Sequence, residues 1–122
     1  MNSKEIEKFT FLSEQLKKDT HLAMIYSKKV IEEIVKDNPK KTPKETTIIG
    51  YLNYAASFIA SAKSLYYSNF DLLAHDDIED FFGQFDVFAC EVLENISEDH
   101  SHQWSAIEFN KLEEDYNQSV LK

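Results

Sequence analysis

The sequence predicts an all-α fold, an antiparallel bundle of four main helices in a single domain of 122 residues. Three observations predict it. Apolar residues recur at three- and four-residue spacing through most of the chain. Two stretches open with helix-capping signatures. Two glycines and two prolines are too few for an all-β chain, which needs turn residues at short intervals. An apolar content of 43%, with nine Phe and six Tyr, can fill one core and argues against disorder despite a net charge of −9.

From Lys4 to Lys36, Phe9, Leu12, Leu16, Ala23, Tyr26, Val30 and Ile34 keep helical spacing. They fit one long helix, or two broken near Asp19-Thr20 with Thr20 as an N-cap. Asn38-Pro39 ends the segment, because the residue before proline is pushed out of the α region. Thr42-Pro43-Lys44-Glu45 then reads as a capping box, with Thr42 at N-cap, Pro43 at N1 and Glu45 at N3. The helix it starts should reach about Tyr67. That helix is apolar almost all round, from Ile48 and Leu52 through Phe58 to Tyr66, with Lys63 its sole charge after Glu45. Such a helix is expected at the centre of the bundle or in a subunit interface.

Ser68-Asn69 breaks the pattern, and a short piece follows around Phe70–Leu73. Asp76-Asp77-Ile78-Glu79 reads as a second cap, with Asp76 at N-cap. The helix from Asp77 to about Ile96 is strongly amphipathic: Ile78, Phe81, Phe82, Phe85, Phe88, Ala89, Val92, Leu93 and Ile96 on one arc, acids on the other. Ser97 to His102 is a polar loop. A last helix, from about Gln103 to Val120, places Phe109, Leu112, Tyr116 and Val120 on one side.

Charge divides the chain. The first 44 residues hold ten lysines against seven acids, and the remaining 78 hold three lysines against fifteen acids. Between Lys63 and Lys111 there are eleven acids and no base. A one-signed field of this kind attracts basic surfaces and repels nucleic acid and anionic membranes. Arginine is absent, which excludes any mechanism built on a guanidinium clamp. The lysines of the first segment alternate with Glu14, Asp19, Glu32, Glu33 and Asp37, the pattern of a solvated helix rather than of a nucleic-acid surface.

Acids in the first turn of a helix complement its dipole, which accounts for Asp76, Asp77, Glu79 and Asp80 as caps. It does not account for Asp86, Glu91, Glu94, Glu98 and Asp99 farther along, where no lysine stands at i±4 to offset them. Val87 and Cys90 fall beside this arc, an arrangement like the apolar anchors and charged rims of interfaces.

Reaction signatures are lacking. Both glycines are isolated within helices, so there is no phosphate loop. The lone Cys90 lies beside acids that blunt its reactivity. His100-Ser101-His102 with Glu98 and Asp99 offers one carboxylate-x-x-His spacing, whereas a di-metal bundle needs two and further glutamates. The Phe run at 81, 82, 85 and 88 is core spacing. No cofactor or metal is expected. One cysteine and an N-terminus without an apolar leader point to the cytoplasm.

The expectation is therefore a small acidic interaction protein without catalysis. It would dock Asp76, Asp77, Asp80, Asp86, Glu91 and Glu94 on a basic partner protein and block it, in the manner of an immunity protein, antitoxin, phage-type inhibitor or nucleic-acid mimic. The alternatives are a structural or regulatory homodimer joined through helix 43–67, and a metal-dependent helical-bundle enzyme.

Overall fold

A computed structural model describes residues 1–36, 44–98 and 101–122. It is an all-α bundle of α1 (Ser3–Val35), α2 (Lys44–Ser68), the one-turn α3 (Phe70–Leu73), α4 (Asp76–Ser97) and α5 (His102–Gln118). α1 pairs along its length with α2, and α4 with α5. Contacts of α1 with α5 and of α2 with α4 close the ring, and the diagonal helices are not neighbours. A single apolar core joins side chains from all five elements.

α1 is one continuous helix. Its N-terminus is closed by a capping box: Asn2 Oδ1 accepts from the Glu5 amide at 2.9 Å while the Glu5 carboxylate accepts from the Asn2 amide at 3.4 Å. Thr20 is not an N-cap but a core residue. Its hydroxyl donates to the Leu16 carbonyl one turn back, at 2.9 Å, which satisfies the polar atom inside the helix and removes any need for a break. At the other end Lys44, the first residue of α2, donates Nζ to the carbonyls of Ile34 and Lys36, both at 2.9 Å. A cation so placed satisfies terminal carbonyls and complements the negative end of the α1 dipole. The expected Thr42–Glu45 capping box lies partly outside the described residues, as does the Asn38-Pro39 stop.

α2 is not central. Ile48, Leu52, Ala55, Ile59, Ala62 and Tyr66 are buried against α1 and α4, while Ala56, Ser57, Ala60, Ser61 and Ser64 on the far side are exposed. The sequence misleads because this outward arc is small and uncharged rather than polar. It therefore looks buried on a helical wheel although nothing covers it among the described residues.

Tyr66 ties the two hairpins together. Its side chain is fully buried, edge-on to Phe82, Phe70 and Tyr67 at centroid distances of 5.6, 5.6 and 5.0 Å. The hydroxyl accepts from the His75 amide at 2.9 Å and donates to Glu79 Oε2 at 3.1 Å. Burial raises the phenol's pKa, the His75 bond opposes this, and the Glu79 bond adds to it. Asn69 Nδ2 donates back to the Leu65 carbonyl at 2.9 Å, which completes the turn into α3.

The N-cap of α4 is His75, not Asp76: His75 Nδ1 accepts from the Asp77 amide at 3.2 Å, and Asp76 is the first helical residue. Ile78, Phe81, Phe82, Phe85, Phe88 and Val92 fill the core as the periodicity predicts. Phe81 meets Tyr116 at 5.6 Å and Phe88 meets Phe109 at 5.8 Å, which sets the antiparallel register of α4 on α5. α5 is capped by Ser101, whose Oγ accepts from the Gln103 amide. It ends at Gln118, two residues before the expected Val120. The Ser119 hydroxyl donates to the Tyr116 carbonyl and accepts from the Leu121 amide. This turn changes the phase of the chain, so Leu121 enters the core and Val120 faces solvent.

Tyr66→Phe should lower stability by about 1–3 kcal/mol, because the His75 amide is left without its acceptor while all apolar packing is kept. Chemical denaturation of both proteins at pH 7 tests this, and an unchanged midpoint would remove the hydroxyl from its assigned role.

Candidate interaction surface

Residues on the outer side of α4 share a stripe because Asp76, Asp80, Val87 and Glu94 recur at near-whole turns of the helix, with Gly83 and Cys90 between them. Asp76, Asp80, Glu94, Val87 and Cys90 are exposed, as is Gly83. Asp77 and Glu91 lie half-buried on the flank toward α5, and Asp86 is exposed on the flank toward α2. The six acids singled out from the sequence therefore sit on one helix but face three ways.

Asp86 has a partner that sequence spacing along a single helix does not reveal. Lys63 of α2 reaches both carboxylate oxygens, at 3.1 and 3.2 Å, and stands 6.0 Å from the centre of the Phe82 ring. This pair is solvent-exposed and worth at most about 1 kcal/mol, but it offsets the charge of Asp86 on that flank. Glu79 is likewise engaged, as the acceptor of the Tyr66 phenol.

Toward α5 the acids concentrate. Asp77 and Asp80 line a small cleft of about 90 Å³ with Asp115 and Gln118. Burial raises the pKa of Asp115, and the neighbouring charges of Asp80 and Glu114 raise it further. Asp115 was not among the residues singled out from the sequence. The signal was available in the pairing of apolar stripes: once Phe81 is set antiparallel against Tyr116, Asp80 falls level with Asn117 and so within one helical turn of Asp115. Continuing that register along the hairpin brings Trp104, an exposed side chain at the start of α5, level with Leu93, and eleven residues before Asp115 it lies on the same side of α5. The outer face of the α4–α5 hairpin thus presents carboxylates from two helices together with Val87, Cys90 and Trp104.

No group of three or more His, Cys, Asp or Glu side chains is arranged to hold a metal ion among the described residues. Asp99 and His100 lie outside those residues, while His102 opens α5. His75 serves the helix as a cap, and Cys90 has no basic neighbour within its helix. No described helix is long and apolar enough to cross a membrane. Chemically, the face is suited to holding cationic side chains by charge and by a few apolar contacts.

Crowding at Asp115 has a thermodynamic sign. The folded state binds its proton more tightly than the unfolded chain does, so this group costs stability at neutral pH and the cost is relieved as pH falls through the folded pKa toward the ordinary value of 3.8. Asp115→Asn should stabilise the protein at pH 7 by roughly 0.2–0.5 kcal/mol, the scale of one surface like-charge pair. The gain should vanish in acid. Denaturation midpoints at the two pH values decide it, and a variant less stable at pH 7 would contradict the repulsion. Comparison of the chain with family models, with curated proteins and with solved structures returns no match.

Proposed function

We propose that the protein is a non-catalytic interaction protein of the cytoplasm. It docks the acidic α4–α5 face on a basic partner protein and blocks that partner's own surface, as immunity proteins, antitoxins and nucleic-acid mimics do. One observation carries the reading: Asp77 and Asp80 of α4 and Asp115 of α5 line one small cleft, where burial first, and the charges of Asp80 and Glu114 next, raise the pKa of Asp115. Carboxylates held together against their mutual repulsion are a cost to the isolated fold, and lysines or arginines of a partner would relieve it. Asp76, Asp80 and Glu94 form the exposed ridge. Asp77 and Glu91 supply its α5 flank, and Asp86 can join by exchanging Lys63 for a partner's cation. Val87 and Trp104 provide apolar contact within the charged rim.

A second reading is favoured by a separate observation. The outward arc of α2 carries Ala56, Ser57, Ala60, Ser61 and Ser64 exposed and uncharged, in a chain where 29% of residues are charged. A homodimer joined there would bury small side chains and allow close helix approach.

Salt separates the two. Wild type and a variant carrying Asp76→Lys, Asp80→Lys and Glu94→Lys serve as baits, both verified as helical by circular dichroism. A basic protein retained in stoichiometric amount by wild type and lost by the variant supports the docking face. Its affinity should fall about tenfold or more between roughly 50 and 300 mM salt, because exposed charge pairs are screened over that range. Retention by both baits, or indifference to salt, would sink it. Sedimentation equilibrium addresses the second reading: a dimer insensitive to salt and dissociated by Ala60→Glu would place contact on α2.

A further inference from the structure

At the end of the bundle where α1 begins, a cleft of about 380 Å³ opens between the first turns of α1, the α3 turn, the start of α4 and the last residues of the chain. Its floor is aliphatic and buried: Leu16, Leu73, Ile78 and Leu121. Its lips, Phe9 and Val120, are exposed. The volume lies within the range of small-ligand sites, with room for a chain on the order of ten heavy atoms.

The polar residues at this cleft set it apart from the rest of the surface. In a chain of net charge −9, no acidic residue lines it, and its only ionisable side chains are Lys17 and His75. The hydrogen bond accepted by His75 Nδ1 from the Asp77 amide places the proton of the neutral ring on Nε2, leaving the ring a donor to offer. An ammonium, an imidazole N–H and the Ser13 hydroxyl at the rim of an aliphatic floor match one kind of molecule. We propose that this cleft binds a soluble single-chain amphiphile with a carboxylate head, of the size of a medium-chain fatty acid. The tail lies over Leu16, Leu73, Ile78 and Leu121, and the head is held by Lys17 and His75. His75 adjoins the Asp76–Asp77 end of the acidic ridge, with Asp77 Oδ2 3.8 Å from its Nδ1, whereas Lys17 and most of the aliphatic floor come from other elements, and the proposal does not rest on the docking function.

The test uses the full chain and sodium dodecanoate below its micellar concentration, followed by methyl NMR and calorimetry. Saturable single-site binding should shift the methyls of Leu16, Leu73, Ile78 and Leu121, while those of Ile34, Ile48 and Ile96 at the opposite end stay in place. Dodecyltrimethylammonium, with the same tail and the opposite charge, should bind about tenfold more weakly, and Lys17→Glu should reverse that order. Lys17 is exposed, so this variant keeps the fold. Equal affinity for the two head groups would overturn the proposal, as would unmoved floor methyls. So would movement of those methyls with protein concentration alone, which would make a second copy of the chain the occupant.

Discussion

The buried hydroxyl of Tyr66 is the point on which the arrangement of the two hairpins depends. α1 with α2 and α4 with α5 are each local antiparallel pairs that apolar periodicity can assemble without outside help. What fixes one pair against the other is the passage from α2 to α4, and that passage is a single helical turn followed by a cap. Tyr66 takes the amide of His75 and gives its proton to Glu79, so one side chain of α2 determines where α4 starts and how its first turn is rotated. The three rings packed edge-on around it hold the phenol in place, so that these partly buried bonds keep one geometry.

Given that rotation, the distribution of charge follows. Turning α4 so that Ile78, Phe81, Phe85 and Phe88 enter the core leaves Asp80 outside and next to Asp115. The energies explain why the fold accepts this. Burying one such apolar side chain contributes about 1.5–3 kcal/mol, whereas a like-charge surface contact costs a few tenths. The core decides the register, and the carboxylates tolerate the result.

Helix periodicity carried most of the fold into view from residues alone. The core side chains of α4 all belong to its apolar arc, although Leu93 of that arc stays exposed at the arc's edge, and the break at Ser68-Asn69 falls where α2 ends. One open choice and two misreadings share a cause, which is that short-range pattern does not see neighbours. Thr20 resembles a cap until its hydroxyl is found bonded to Leu16. Asp76 resembles one until the imidazole of His75 is found accepting from Asp77. The outward arc of α2 resembles a buried surface because alanine and serine are ambiguous between close packing and simple exposure. At the candidate surface, the acids of α4 were legible as a one-signed arc. The contribution of Asp115 and the neutralisation of Asp86 by Lys63 were not, since both arise between helices far apart in sequence.

The unequal lengths of the helices bear on cooperativity. α1 has 33 residues and α5 has 17, so they differ by about 24 Å at 1.5 Å per residue. The first eleven residues of the chain are all exposed, held by the Asn2–Glu5 box and by their own backbone ladder. Isolated helical turns of that length are marginal in water, and amides there open at little free-energy cost compared with those beyond Leu16. The first turns of α1 are thus a reserve of conformational entropy beside the apolar cleft that Phe9 helps to wall. Any occupant seated there would order them, and the affinity it shows would be reduced by that ordering.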